Sequence, residues 1–404
     1  MTDTNNTRSD ALAWVAGSDA PEKSALNLGF MALTDSASLI VAATQGFAQP
    51  YGLTLNLQRQ ASWAGLRDRL LSGELDAAQM LYGQVYGIDQ GLGGPATEMA
   101  ILMGLCQNGQ AINLSQPLKQ AGVTSAEALA ARVRQGGAKL TFAQTFPTGT
   151  HAMWLYYWLA AQGIHPLEDV STVVVPPSQM VAHLRAARID GFCAGGPWGA
   201  LAVEEDQGFT LATSQDIWAD HPEKVLGVTR AFAEQYPNTA RALTMAVLEA
   251  SRFIDESEEN KRGTAQLISG SEYVDAPLSA IQPRFLGQYE DGLGHAWLDA
   301  HPLRFFAGGE VNMPWLSDGI WFLTQFRRWG LLKDDPDYLG IARRIHRLDL
   351  YRSAAEALGI AVSEQPMRTS TLLDGSVWDG SDPAGYARSF AIHARADGAA
   401  AIAL

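Results

Sequence analysis

Alternation of short apolar runs with amphipathic helical stretches constrains this chain more than any other feature. Residues 26–31 form an apolar run, and Asp35 stands where it can cap a helix ending near Gly46. Leu53, Leu55 and Leu57 alternate with polar residues, the period of a half-buried strand. Trp63, Leu66, Leu70 and Leu71 then share a helical face, Gly73 stops that helix, and 75–81 reads as a third strand. Strand–helix–strand–helix–strand implies a parallel sheet with right-handed crossovers, hence an α/β fold.

A fourth strand is expected over 99–106, and 107–115 reads as an extended polar segment that can cross to a second lobe. The alternation then resumes with helix 125–134, strand 140–143, helix 151–162, strand 172–175, helix 178–188 and strand 191–194. A strand over 225–229 returns the chain to the first lobe, where the helices from Thr239 onward pack. At 404 residues the chain exceeds one ordinary core. The expected division is an N-terminal extension (1–25), lobe one (26–110 plus 215–330), lobe two (111–214) and a C-terminal extension (331–404) packing on lobe one. The extension holds a basic helix and ends in an Ala-rich stretch whose composition predicts poor order. Two crossings between lobes make a hinge, so closure needs only a few backbone rotations.

The formal net charge of −14, from 29 Lys and Arg against 43 Asp and Glu, excludes the basic surface of a nucleic-acid binder. It also opposes a small anion at long range, so any anion site must rest on local donors. The first 25 residues show no basic segment followed by a long apolar run, and no stretch approaches the roughly 18 apolar residues of a membrane span. The expectation is a cytoplasmic protein without membrane contact. Cys106 and Cys193 are the only cysteines and are expected as reduced, buried thiols. There is no GxSxG elbow, no GxxxxGK(S/T) phosphate loop and no HExxH helix. The eight His are scattered, and none pairs with Cys at metal-ligand spacing. The GLGG at 91–94 is too short for a dinucleotide fingerprint. No catalysis, cofactor or metal is expected.

Three junctions share one design: a strand, a turn and a helix start. They are Phe146-Pro147-Thr148-Gly149-Thr150-His151, Pro176-Pro177-Ser178-Gln179 and Gly195-Gly196-Pro197-Trp198. A helix N-terminus offers unpaired N–H groups and a partial positive charge, so it receives anions. Each junction also reads as an ordinary loop, with His151 on the surface and Ser178 as a plain N-cap. Three such turns at the carboxyl ends of strands in one sheet point to one crevice. Lys224, in His221-Pro222-Glu223-Lys224, is either a solvated surface lysine or a full positive charge for that crevice. Trp63 is either a core residue or a flat wall for a planar ligand. Gln107, Asn108 and Gln110 are amides that can donate to oxygens or simply face water.

The segments QASWAGLRDRLLSGELDAAQMLYG, QNGQAI, TFPTGTHAMWLYYWLAAQGI, PPSQMVAHLRAARIDGFCAGGPW and HPEKVLG resemble, in order, the motifs of the nitrate-binding protein family. That family includes solute-binding components of nitrate and bicarbonate transporters, and the resemblance covers roughly residues 25–330. It implies a two-lobed, periplasmic-binding-protein-like fold of type II with the ligand cleft between lobes. By motif position it assigns anion contacts to Trp63, Gln110, His151 and Lys224, with the backbones of Gly109, Pro177 and Gly195 nearby. The family's Gly-Glu-Pro-Trp stands here as Gly195-Gly196-Pro197-Trp198, without the acid. Bicarbonate relatives use a bound cation where nitrate relatives use Lys, so Lys224 implies nitrate or nitrite.

The absence of an export signal makes the chain resemble most the cytoplasmic nitrate/nitrite sensors of assimilation operons (the NasS type). The resemblance implies that anion binding releases an RNA-binding antiterminator partner (NasT type, with an ANTAR domain), the chain itself touching no nucleic acid. The alternative is the solute-binding component of a nitrate or bicarbonate ABC transporter whose leader has been removed. A third class, the pyrimidine synthases of thiamine biosynthesis, relies on a cysteine-rich metal motif that two distant cysteines do not supply.

Overall fold

In the computed structural model, which describes residues 20–394, the alternating pattern resolves into two five-stranded sheets. The first contains β1 (Ala25–Met31), β2 (Thr54–Gln60), β3 (Ala77–Leu81), β4 (Met99–Gly104) and β10 (Lys224–Thr229), in the order β2-β1-β3-β10-β4. The second contains β5 (Gln110–Ser115), β6 (Thr141–Gln144), β7 (Ser171–Val174), β8 (Gly191–Gly195) and β9 (Gly208–Thr213), in the order β7-β6-β8-β5-β9. The plan is the same twice. Parallel strands carry helical crossovers, and one antiparallel strand fed from the other lobe is inserted near the edge. The fold is a two-lobed α/β fold.

The inserted strands decide where function sits. Because β10 runs antiparallel to β3, its first residue Lys224 lies opposite Leu81, at the carboxyl end of β3. Because β5 runs antiparallel to β8, its first residue Gln110 lies opposite Gly195, at the carboxyl end of β8. Both sheets therefore present their carboxyl edges, plus one inserted strand start each, to one crevice. The polar segment over 107–115 divides accordingly. Residues 110–115 are a full strand, and the crossing is confined to a few residues before it. There Gln107 bridges to Pro222 of the return crossing, so the two connections run side by side.

Local rules explain most elements. Ser62 caps helix Trp63–Leu71 by accepting from the Gly65 N–H at 3.1 Å, and Ser125 caps Ala126–Arg134 in the same way. Helix Thr150–Ala161 is apolar all round and has ten buried residues, as a helix with no solvent face must be. It lies between its own sheet and helix Leu316–Arg328, where Trp154 meets Trp321 and His221 with ring centroids 4.8 Å apart. Ser178 caps nothing: residues 177–179 form a single 3-10 turn with no side-chain cap, and the α-helix begins only at Met180. Strand β9 carries no strand prediction, because GFTLAT mixes an apolar alternation with a leading Gly.

The C-terminal extension packs on lobe one through helix Leu348–Ala357, against Pro237–Glu256, and through His346, which bridges to Ile101. It also reaches lobe two, which the sequence reading did not anticipate. Tyr157 donates to Asp374, and His165 Nε2 lies 3.0 Å from the His393 carbonyl. The Ala-rich end expected to be poorly ordered, and most of the N-terminal extension, lie outside the described residues. Cys106 and Cys193 are free and buried. Among the described residues no helix is long and apolar enough to cross a membrane.

Candidate functional site

Between the lobes lies a sealed polar centre. Lys224, His151 and Glu223 are fully buried, and Asp35, Gln110 and Trp63 retain 1% exposure each. Lys224 Nζ lies 2.9 Å from Asp35 Oδ2, contacts Glu223 Oε2, and stands 5.8 Å from the centroid of the Trp63 ring. From the other lobe, His151 Nε2 is 2.8 Å from Gln110 Oε1, and His151 Nδ1 is 2.6 Å from Thr145 Oγ1. The two halves meet where His151 Nε2 comes within 3.8 Å of Glu223 Oε1. Among the described residues, no group of three or more His, Cys, Asp or Glu is arranged to hold a metal ion.

The electrostatics follow from burial. Burial, helped by the charge of Lys224, holds the His151 imidazole well below its usual range, so the ring is neutral. Gln110 donates its own amide N–H to the Asn108 carbonyl at 3.4 Å, which turns Oε1 toward the histidine. An amide oxygen only accepts, so His151 carries its proton on Nε2 and accepts from the Thr145 hydroxyl at Nδ1. Burial alone would lower the Lys224 ammonium, but Asp35 and Glu223 outweigh it and keep the lysine charged. The two carboxylates are not equivalent. Asp35 also accepts from the Gln79 side chain, which itself is fixed by the Met31 N–H at 2.8 Å. Glu223 is held by Lys224 with the Trp154 indole beside it, and burial pushes its carboxyl up to about 7.

Several polar atoms here find no partner in the protein: Trp63 Nε1, Glu223 Oε1 and Thr150 Oγ1. An unmet buried polar atom costs about 1–3 kcal/mol, so such a cluster beside a cation is poised for a small ligand with several oxygens. Thr150 and His151 open helix Thr150–Ala161, whose first-turn N–H groups lie at the same edge. Toward solvent, a cavity of about 340 Å³ lined by Trp63, Arg67, Thr145, Phe146, Pro147, Val174 and Pro176 leads to the centre. Trp63 and Thr145 belong to both.

Of the sequence candidates, the structure brings together Trp63, Gln110, His151, Gly195 and Lys224. Gly195 faces the centre without a side chain: a Cβ there would stand 2.9 Å from Gln110 Oε1 and 3.1 Å from Asp35 Oδ2. Gly109 sits at the rim with φ +87°, a conformation suited to glycine, and its carbonyl accepts from Gly196 N–H at 3.3 Å. Pro177 is buried in the 3-10 turn beside the cavity-lining Pro176 and has no polar contact with the cluster. Gln107 and Asn108 belong to the crossing, where Asn108 Nδ2 donates to Asp220 at 3.2 Å. Asp35, expected as a helix cap, instead binds Lys224 and Gln79, and the helix starts at Ala37 without a side-chain cap. Sequence reasoning also missed Glu223, Gln79 and Thr145. The signal for Gln79 was available, since a lone amide inside the apolar run LDAAQMLYG needs a buried partner.

Two lobes, two adjacent crossings and a polar centre closed from both sides define the architecture of two-lobed solute-binding proteins. The NMT1-like family profile matches residues 19–269. The nitrate/nitrite binding protein NrtA of Synechocystis sp. is 38% identical over 393 residues, 94% of this chain and 87% of that protein. The nitrate import ATP-binding protein NrtC of the same organism is 36% identical over 93% of this chain, which spans 57% of that longer protein. The crystal structure of the periplasmic nitrate-binding protein NrtA from Synechocystis superimposes with a TM-score of 0.88, at 36% identity, covering 92% of this chain and all of the other. The chain belongs to the NMT1-like family, in its group of nitrate-binding solute-binding proteins.

Proposed function

We propose that this protein binds nitrate or nitrite between its lobes and serves as the solute-binding component of an anion transporter. The observation that carries the reading is the meeting of Lys224, from one lobe, with the His151–Gln110 pair from the other in a centre sealed from water. In this reading Lys224 supplies the charge, and His151 Nε2–H turns from Gln110 to donate to an anion oxygen. Trp63 lines the flat side, with the backbones of Gly109, Pro177 and Gly195 close by. The anion touches both lobes only when they are closed. It therefore favours the closed form by its differential affinity for the two states.

The relatives at more than a third identity are named for nitrate or nitrite binding, nitrate import and bicarbonate transport, which supports the transport role. The sensor role, with its antiterminator partner and cytoplasmic location, finds no support among them. Calorimetric titration with nitrate, nitrite, bicarbonate and chloride tests the ligand: saturable binding of nitrate or nitrite is expected, and preferential binding of bicarbonate overturns the assignment. Size-exclusion runs with an ANTAR-domain antiterminator test the role. A stable complex that nitrate dissolves would replace the transport reading with the sensor.

A further inference from the structure

Glu223 is the one charged group of the sealed centre that the anion-binding reading leaves without a task. Its side chain is fully buried, Oε2 lies on the ammonium of Lys224, and Oε1 has no partner, with His151 Nε2 at 3.8 Å. Lys224 and Asp35 already cancel one another at 2.9 Å. An ionised Glu223 therefore gives the centre a net negative charge beside the place that the ligand must occupy. The other groups around it cannot compensate. Burial keeps His151 and His221 neutral. Burial also holds the Cys106 and Cys193 thiols and the Tyr82 phenol in their protonated forms. Asp318, which lines the small cavity behind Lys224, is paired with Arg368 at 2.8 Å.

We propose that Glu223 takes up one proton as the anion binds, so that the site admits the anion and a proton together and selects ligands that only accept hydrogen bonds. This rests on the anion-binding reading above. The balance is simple: a proton from solvent adds to the carboxylate, the anion enters beside Lys224, and the charge of the centre is unchanged. Three buried negative charges, on Asp35, Glu223 and the anion, cannot share the one cation of Lys224, so one is neutralised. Nitrate and nitrite bring no proton of their own near neutral pH. Protonated at Oε1, Glu223 becomes a donor aimed into the site, whereas an ionised Glu223 faces the anion's oxygens as a bare acceptor. An anion bearing its own O–H can donate to the ionised carboxylate, but it then leaves in the centre the extra negative charge that the proton removes. The carboxyl's rise to about 7 places this exchange in the range where binding is measured.

The test is nitrate titration of the full chain by calorimetry at pH 6.5, 7, 8 and 8.5, in amine buffers of different ionisation enthalpy. Uptake of close to one proton per nitrate is expected at pH 8. Affinity should fall about tenfold between pH 7 and 8.5, as proton linkage requires. Glu223→Gln, of the same shape with a permanent N–H donor, is expected to bind with no proton uptake and equal affinity across that range. Nitrate binding in the wild-type protein with no proton uptake and a flat pH profile overturns the proposal while leaving the anion site standing. Proton uptake that persists in Glu223→Gln overturns it too, because another group then carries the proton. Failure of nitrate to bind at any pH overturns the anion-binding reading and this proposal with it.

Discussion

Replacing Lys224 by methionine keeps the volume of the side chain and deletes its charge from a site where it holds two carboxylates. Asp35 and Glu223, at 1% and 0% exposure, are then buried without their cation. Breaking a buried pair in this way costs about 3–5 kcal/mol, because the remaining charge has neither water nor partner. Without Lys224, whose charge lowers it, the Glu223 carboxyl rises further, so the variant escapes by protonating Glu223 and its loss should grow as pH rises. Nitrate binding should weaken separately. One charge-assisted hydrogen bond contributes about 1.5–3 kcal/mol, which is roughly 10- to 100-fold in affinity. The two effects are separated by adding Asp35→Asn, which removes one of the two orphaned charges and leaves Glu223 to be neutralised by protonation. Urea unfolding followed by far-ultraviolet circular dichroism should show Lys224→Met strongly destabilised and the double variant recovering most of the loss. Calorimetry should show both variants equally poor in nitrate binding. Nitrate affinity within twofold of wild type in Lys224→Met would remove the lysine from the site. Undiminished stability in that variant would show that the ion pairs are not structural.

Gly195→Ala should lower nitrate affinity about tenfold while the fold survives, since its Cβ presses on Gln110 from one lobe and on Asp35 and Leu33 from the other. Overpacking of this kind costs typically about 1–3 kcal/mol. Small-angle scattering should show the variant failing to contract on nitrate addition, and a normal contraction refutes the steric argument. His346 is buried with its pKa lowered to about 3, chiefly by burial, and Nε2 lies 2.9 Å from the Tyr86 hydroxyl. The unfolded chain takes up a proton there near pH 6.5 and the folded one does not. The stability this histidine contributes at pH 7 is therefore lost as pH falls toward 3. The loss is about 2 kcal/mol by pH 5, so His346→Gln should lose that much less between pH 7 and 5 in urea titrations.

The sequence by itself determined the elements whose cause is local. Helix Trp63–Leu71 was legible because Trp63, Leu66, Leu70 and Leu71 share a face and Gly73 follows as a stop, while its Ser62 cap emerged only in the structure. The parallel start of each sheet was legible because only a helical crossover can join two such strands. The clustering of three strand-to-helix junctions also pointed to one crevice before any contact was known, whereas the assignment of Lys224 and His151 to it came from motif resemblance. Tertiary structure alone decided the rest. Nothing local separates a solvated Lys224 from a buried one. The difference arises because β10 returns antiparallel beside β3 and carries the lysine to that sheet's carboxyl edge. Asp35 sits where a helix cap belongs, and only the arrival of Lys224 and Gln79 from distant segments gives its carboxylate a stronger partner than the local N–H groups. Glu223 was invisible for the same reason: an acid next to a lysine in sequence is ordinary on a surface. Its uncompensated charge exists only once two lobes have shut water out, and charge balance in a sealed volume is a property of the whole fold.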